Sequence, residues 1–211
     1  MILPKGNLIG VGVYFLLISV MCVRAQTSEQ SGLIKTATGI LVVSNEPDNY
    51  YSIEVKGKSI KPIPDHPFWF YVDGKFVQIV CAEKREFLKD DKGIDDKSIL
   101  LAHQKWESDY ISETLGAKLK LDSSWLKLSS DTLAMAWSYD MPQVADKQTA
   151  KRQLYLLRVK GKYVFGLNTV VEKDGEEKVL QQFLVDTLET LKPRDRPLSL
   201  EKARDQILRA Q

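Results

Sequence analysis

Phe68-Trp-Phe-Tyr-Val-Asp-Gly-Lys-Phe-Val-Gln-Ile-Val-Cys81 decides the architecture of this 211-residue chain. Two runs rich in aromatic and β-branched residues flank Asp73-Gly74, and Asp-Gly accepts the positive φ angles of a tight type I′ turn. The stretch is therefore a β-hairpin, with Val77, Ile79 and Cys81 sharing one face of its second strand. Toward the N-terminus, Gly39 to Ser44 is a short apolar strand and Asn45 to Asn49 a turn. Tyr50 to Lys56 alternates, placing Tyr51, Ile53 and Val55 on one face. Gly57 to Pro67 contains three prolines and reads as a loop.

Beyond the hairpin, Glu83 to Lys97 is a charged connection. At Ser98 the apolar period changes from 2 to 3.6, and Ile99, His103, Trp106 and Tyr110 fall on one helical stripe. Ser98 is the expected N-cap and Gly116 the expected stop. Ala117 to Leu121 and Leu126 to Leu128 read as extended. Thr132 to Tyr139 sets Leu133, Met135, Trp137 and Tyr139 against Ala134, Ala136 and Ser138, a face small enough to admit a helix. After a loop from Asp140 to Ala150, Arg152–Val159 and Tyr163–Val171 form a second hairpin around Lys160-Gly161-Lys162. Glu176 to Leu191 is a long amphipathic helix stopped by Pro193, and Ser199 to Ala210 can form a short one.

Strands joined by short turns are antiparallel to their neighbours, and amphipathic helices need an apolar surface to cover. The expected fold is α+β: a twisted antiparallel β-sheet with two amphipathic helices packed on it, preceded by a signal peptide. Residues 39–193 form its single domain, 26–38 a flexible lead-in, and 194–211 a tail.

The order of helix, strands, long hairpin and closing helix over Ser98–Lys192 resembles the PsbP-like α/β sandwich. That family comprises extrinsic photosystem subunits and small periplasmic proteins. The resemblance is carried by Tyr163-Val-Phe-Gly-Leu-Asn168 and by Phe183 to Leu191. It implies an accessory or binding role without catalysis, and it transfers no functional residue. The Phe68–Cys81 hairpin and the segment after Pro193 lie outside it.

The first 25 residues read as a secretory signal: Lys5, a 16-residue uncharged run from Leu8 to Val23, then Val23-Arg24-Ala25 before the cut. The run is short of the ~20 residues that span a hydrocarbon core, so an uncleaved anchor is the alternative. Met21 before Cys22 argues against lipid anchoring. The mature chain then starts at Gln26, is secreted or periplasmic, and meets the membrane only during export. Of the 30 bases, Lys5 and Arg24 leave with the signal, so 28 face 28 acids. A neutral mature chain offers no broad field for nucleic acid. Cys81 remains as a lone cysteine, expected to be a small buried hydrophobe.

Motifs for nucleophilic serine, phosphate binding and paired-cysteine or His-Glu-x-x-His metal sites are lacking in the sequence. Neither a cofactor nor a metal is expected. His103 reads as a core-edge residue and the acidic loop Asp90–Asp96 as a solvated one. Phe68, Trp69, Phe70 and Tyr71 place large rings on both faces of one strand, one face for the core and the other for internal packing or a partner. The expected function is a non-catalytic binding or accessory protein, meeting a protein or small molecule of the cell envelope. The alternative is a hydrolytic or metal-dependent enzyme using His66 and His103, with Asp65 orienting an imidazole.

Overall fold

A computed structural model describes residues 31–129, 131–142, 150–172 and 174–209. The expected signal (1–25) and the first part of the lead-in lie outside the described residues. So does most of the loop expected between Asp140 and Ala150.

The Asp73-Gly74 turn forms as expected, with φ of 49° and 83°. It joins β5 (His66–Val72) to β6 (Lys75–Glu83), pairing Val72 with Lys75. The hairpin β9 (Arg152–Lys160) and β10 (Tyr163–Val171) lies beside it, β10 against β6. With β4 (Ile60–Ile63), β7 (Leu121–Lys127) and β8 (Leu133–Asp140) they build an antiparallel seven-stranded sheet of order β4-β5-β6-β10-β9-β8-β7. The remaining strands form a separate sheet: β1 (Ser31–Lys35), β2 (Gly39–Glu46), β3 (Asn49–Lys56) and β11 (Lys192–Pro193), in the order β1-β2-β3-β11.

The antiparallel α+β class and the helices on a sheet stand, but one layer becomes two sheets and two helices become three. α1 (Asp96–Leu115) covers one face of the large sheet through Ile99, Leu100 and Ile111 against Trp137, Tyr155 and Leu157. α2 (Glu177–Glu189) and the four-stranded sheet share the other face. There Leu180, Leu184 and Leu188 meet Ile53, Ala134, Ala136, Leu156 and Phe165. The alanines of β8 admit α2 as their size requires. Each fully buried leucine of α2 contributes about 2 kcal/mol of apolar transfer.

Several boundaries differ from the sequence reading, each for a physical reason. The proline-rich stretch after Gly57 is not a loop throughout. Pro62 sits in β4, an edge strand, where a missing N–H leaves no ladder bond unmade, and a bulge follows it at Ile63. Residues 31–35, expected as lead-in, pair with β2. Helix α1 starts earlier because Asp95, not Ser98, is its N-cap, accepting the Ser98 amide at 2.7 Å. Residues 117–120 are irregular, and β7 runs unbroken from Leu121 to Lys127. α2 ends at Thr190, whose hydroxyl bonds Thr187 and Glu54 carbonyls, and Pro193 instead joins the small sheet opposite Tyr51. The last helix forms as α3 (Leu200–Arg209) and packs on β1, beyond the sheet's core face.

Candidate functional site

The alternation of β2 and β3 sends Val42, Ile53 and Val55 inward and Leu41, Val43, Ser52 and Glu54 outward. The outward face is half covered by α3, with Ala203 closing on Ile34 and Val43. The segment leading to α3 is stitched down at three points. Thr190 Oγ1 accepts the Glu54 amide, Arg194 donates its backbone N–H to Tyr50, and the Asn45 side chain clamps Leu198. In that clamp Nδ2 donates to the Leu198 carbonyl at 2.9 Å while Oδ1 accepts the Leu198 amide at 2.8 Å.

Between this segment, α3 and the sheet lies a groove of about 310 Å³. Leu41, Leu198, Ala203 and Ile207 supply apolar walls, with Ser52, Glu54, Lys192 and Arg194 among its polar lining. Arg194 also borders a wider open cleft, together with Asp195, Arg196 and Lys202. Its guanidinium is only partly satisfied. Nη2 donates to Ser52 Oγ at 3.3 Å, and Nε is buried with no acceptor. Among the described residues, no carboxylate lies within ion-pair distance of Arg194 or Lys192. Arg152 shows the contrast: it meets Asp122, Asp140 and Glu177 and so has no unmet charge to offer a ligand.

A second cluster of polar groups lies beneath α1. His103 is fully buried, neither ring nitrogen has a hydrogen-bond partner among the described residues, and Phe87 and Trp106 lie against it. Burial lowers its pKa to about 4, so it is neutral at ordinary pH. One turn along, burial raises Glu107 to about 7. The Tyr139 and Tyr155 hydroxyls are pushed up by burial and then by nearby charge, and Tyr155 stacks on Trp137 at 4.1 Å. The cluster is packed shut, and its rings serve the core.

The other sequence candidates are dispersed. His66 stacks on Trp69 at 4.2 Å on β5, His103 lies on α1, and exposed Asp65 serves as the left-handed residue (φ 62°) of the β4–β5 turn. Among the described residues no group of three His, Cys, Asp or Glu could hold a metal ion. Trp69 and Phe70 are spent on packing, at 5% and 0% exposure, which leaves half-buried Phe68 and Tyr71 as the reachable part of that strand. Cys81 is half-buried rather than buried, and accepts a hydrogen bond from Asn49 Nδ2 at 3.3 Å. In the acidic loop Asp95 is the helix cap and Asp91 pairs with Lys84.

Sequence reading missed the groove because its parts lie far apart, in β2, β3, the tail and α3. The pattern of Ser199–Ala210 signalled a helix but not its docking place.

No protein-family model matches the chain, and no curated protein matches it. Among solved structures, it is similar to cyanobacterial PsbP (CyanoP) from Synechocystis sp. PCC 6803, determined in solution. The match has a TM-score of 0.47 and 8% identity, and covers 82% of this chain and 97% of that one. The fold resembles that of PsbP. At 8% identity the match assigns no role to any residue.

Proposed function

We propose that this protein is a non-catalytic binding or accessory protein of an exported compartment, secreted or periplasmic, and that it takes its ligand in the groove between α3 and the four-stranded sheet. The observation that carries this reading is Arg194, a cation without a carboxylate partner among the described residues, lining a cleft with apolar walls. The fused environment of convergent polar groups on an apolar wall is what small-molecule seats have in common. Among the described residues no helix is long and apolar enough to cross a membrane.

The test has two parts. N-terminal sequencing of the chain recovered after export should begin at Gln26; an intact leader would make the protein an anchored one. Amide-resolved shift mapping with small-molecule fractions of the envelope should move Leu41, Ser52 and Ile207 together. Shifts confined to other faces, or no shifts with any fraction, would remove the groove as the ligand seat.

A further inference from the structure

Resting on that reading of the groove, we infer that its ligand is a single-chain amphiphile with an anionic carboxylate head. The head would sit at Arg194 and the apolar body would lie along Leu41, Leu198 and Ile207.

The argument is one of complementarity at each end. Leu41, Leu198, Ala203 and Ile207 supply apolar wall to the groove, and an apolar body against them removes surface from water on both sides. The rest of the lining is polar or charged. Lys192 and Arg194 line the groove against a single carboxylate, Glu54, whose Oε1 already accepts the Thr38 hydroxyl at 2.7 Å. Where the groove opens into the wider cleft, Arg194, Arg196 and Lys202 face only Asp195. Cations are therefore in excess on both sides of Arg194.

The guanidinium itself is prepared for an acceptor. Nη2 donates to Ser52, whose own residue is buried. Among the described residues nothing accepts from Nη1. A planar, oriented arginine is suited to a carboxylate, and the water-poor wall beside it strengthens that contact. A neutral amphiphile would leave the cations unpaired, and an anion without an apolar body would leave the Leu41–Ile207 wall wet.

The experiment uses the exported chain and three probes: decanoate, decanol with the same chain and no charge, and acetate with the same head and no chain. Amide shifts and calorimetry read the binding, with Arg194→Met and the charge-keeping Arg194→Lys as variants. Decanoate is expected to bind at the groove, shifting Leu41, Arg194 and Ile207, at least tenfold more tightly than decanol or acetate. Arg194→Met should remove that preference for decanoate over decanol, and Arg194→Lys should keep part of it. Equal binding of decanol and decanoate, or an Arg194→Met variant that keeps the preference, overturns the anionic head while leaving the groove as a ligand seat. Absence of binding by both long-chain probes overturns the amphiphile. Failure of the function reading shows separately, as envelope fractions that never move the groove. Far-UV circular dichroism and unfolding midpoints of both variants establish that the folded protein is what is being titrated.

Discussion

Gly166→Ala should lower the stability of this protein by about 3 kcal/mol or more, at the severe end of overpacking substitutions. Gly166 lies in the middle of β10, paired with Leu157 on one side and Val80 on the other. A Cβ there would stand 2.1 Å from the Leu156 carbonyl oxygen and 2.5 Å from Leu157 Cδ2. The first of these is backbone in the neighbouring strand, so no rotamer change relieves it. The strands must part where the sheet carries α1 on one face and α2 on the other. Gly74→Ala is the control. Its constraint is purely torsional, φ 83° with nothing within 4 Å of the added carbon, and a left-handed non-glycine costs about 1 kcal/mol. Urea midpoints of the two variants measure the difference. A Gly166→Ala midpoint equal to that of Gly74→Ala would show that β10 can move away from β9.

The second large effect is one of pH, and it is hidden until one of two groups is removed. His103 has its pKa lowered from 6.5 to about 4 by burial. Between those values the unfolded chain binds a proton that the folded chain refuses, so this group's stabilisation is complete above pH 6.5 and is lost as pH falls toward 4. Glu107 is shifted oppositely, from 4.5 to about 7. Its folded carboxyl holds a proton that the unfolded one has released, so its stabilisation is complete below pH 4.5 and lost as pH rises through 7. Each shift corresponds to about 3 kcal/mol, with Glu107 the smaller because its residue keeps part of its surface in water. Across the shared window, pH 4.5 to 6.5, the two slopes oppose each other. Glu107→Gln should gain stability relative to the parent as pH rises from 4.5 to 7, by up to about 3 kcal/mol. His103→Leu should show the reverse side: relative to the parent it is strengthened as pH falls from 6.5 toward 4. Paired urea titrations at a series of pH values read both. A difference between parent and Glu107→Gln that does not vary with pH would mean that Glu107 titrates as it does in water.

Elements with local signals were legible without coordinates. Asp73-Gly74 fixes a turn through torsion alone, and the stripe of α2 declares its buried side through spacing alone. Pro62 misled because a proline's meaning depends on whether its strand lies at an edge, which is a property of the sheet and not of the residues around it. Ser98 misled because Asp95 offers a side-chain acceptor of equal quality one turn earlier. Phe68–Tyr71 suggested a surface, yet Trp69 and Phe70 are buried; strand alternation tells which residues share a face and not what covers that face.

Local chemistry therefore determined the hairpins, the helices, their apolar stripes and the antiparallel α+β class, since each depends on neighbours within a few positions. Tertiary structure alone decided that the strands divide into two sheets, that both faces of the larger one are covered, and that Arg194 stands unpaired beside Leu41 and Ile207. Those outcomes depend on which distant surfaces meet, as when Asn45 closes on Leu198 across 153 positions of chain. Pairing at that range is selected by the packing of the whole molecule, and no short window of sequence contains it.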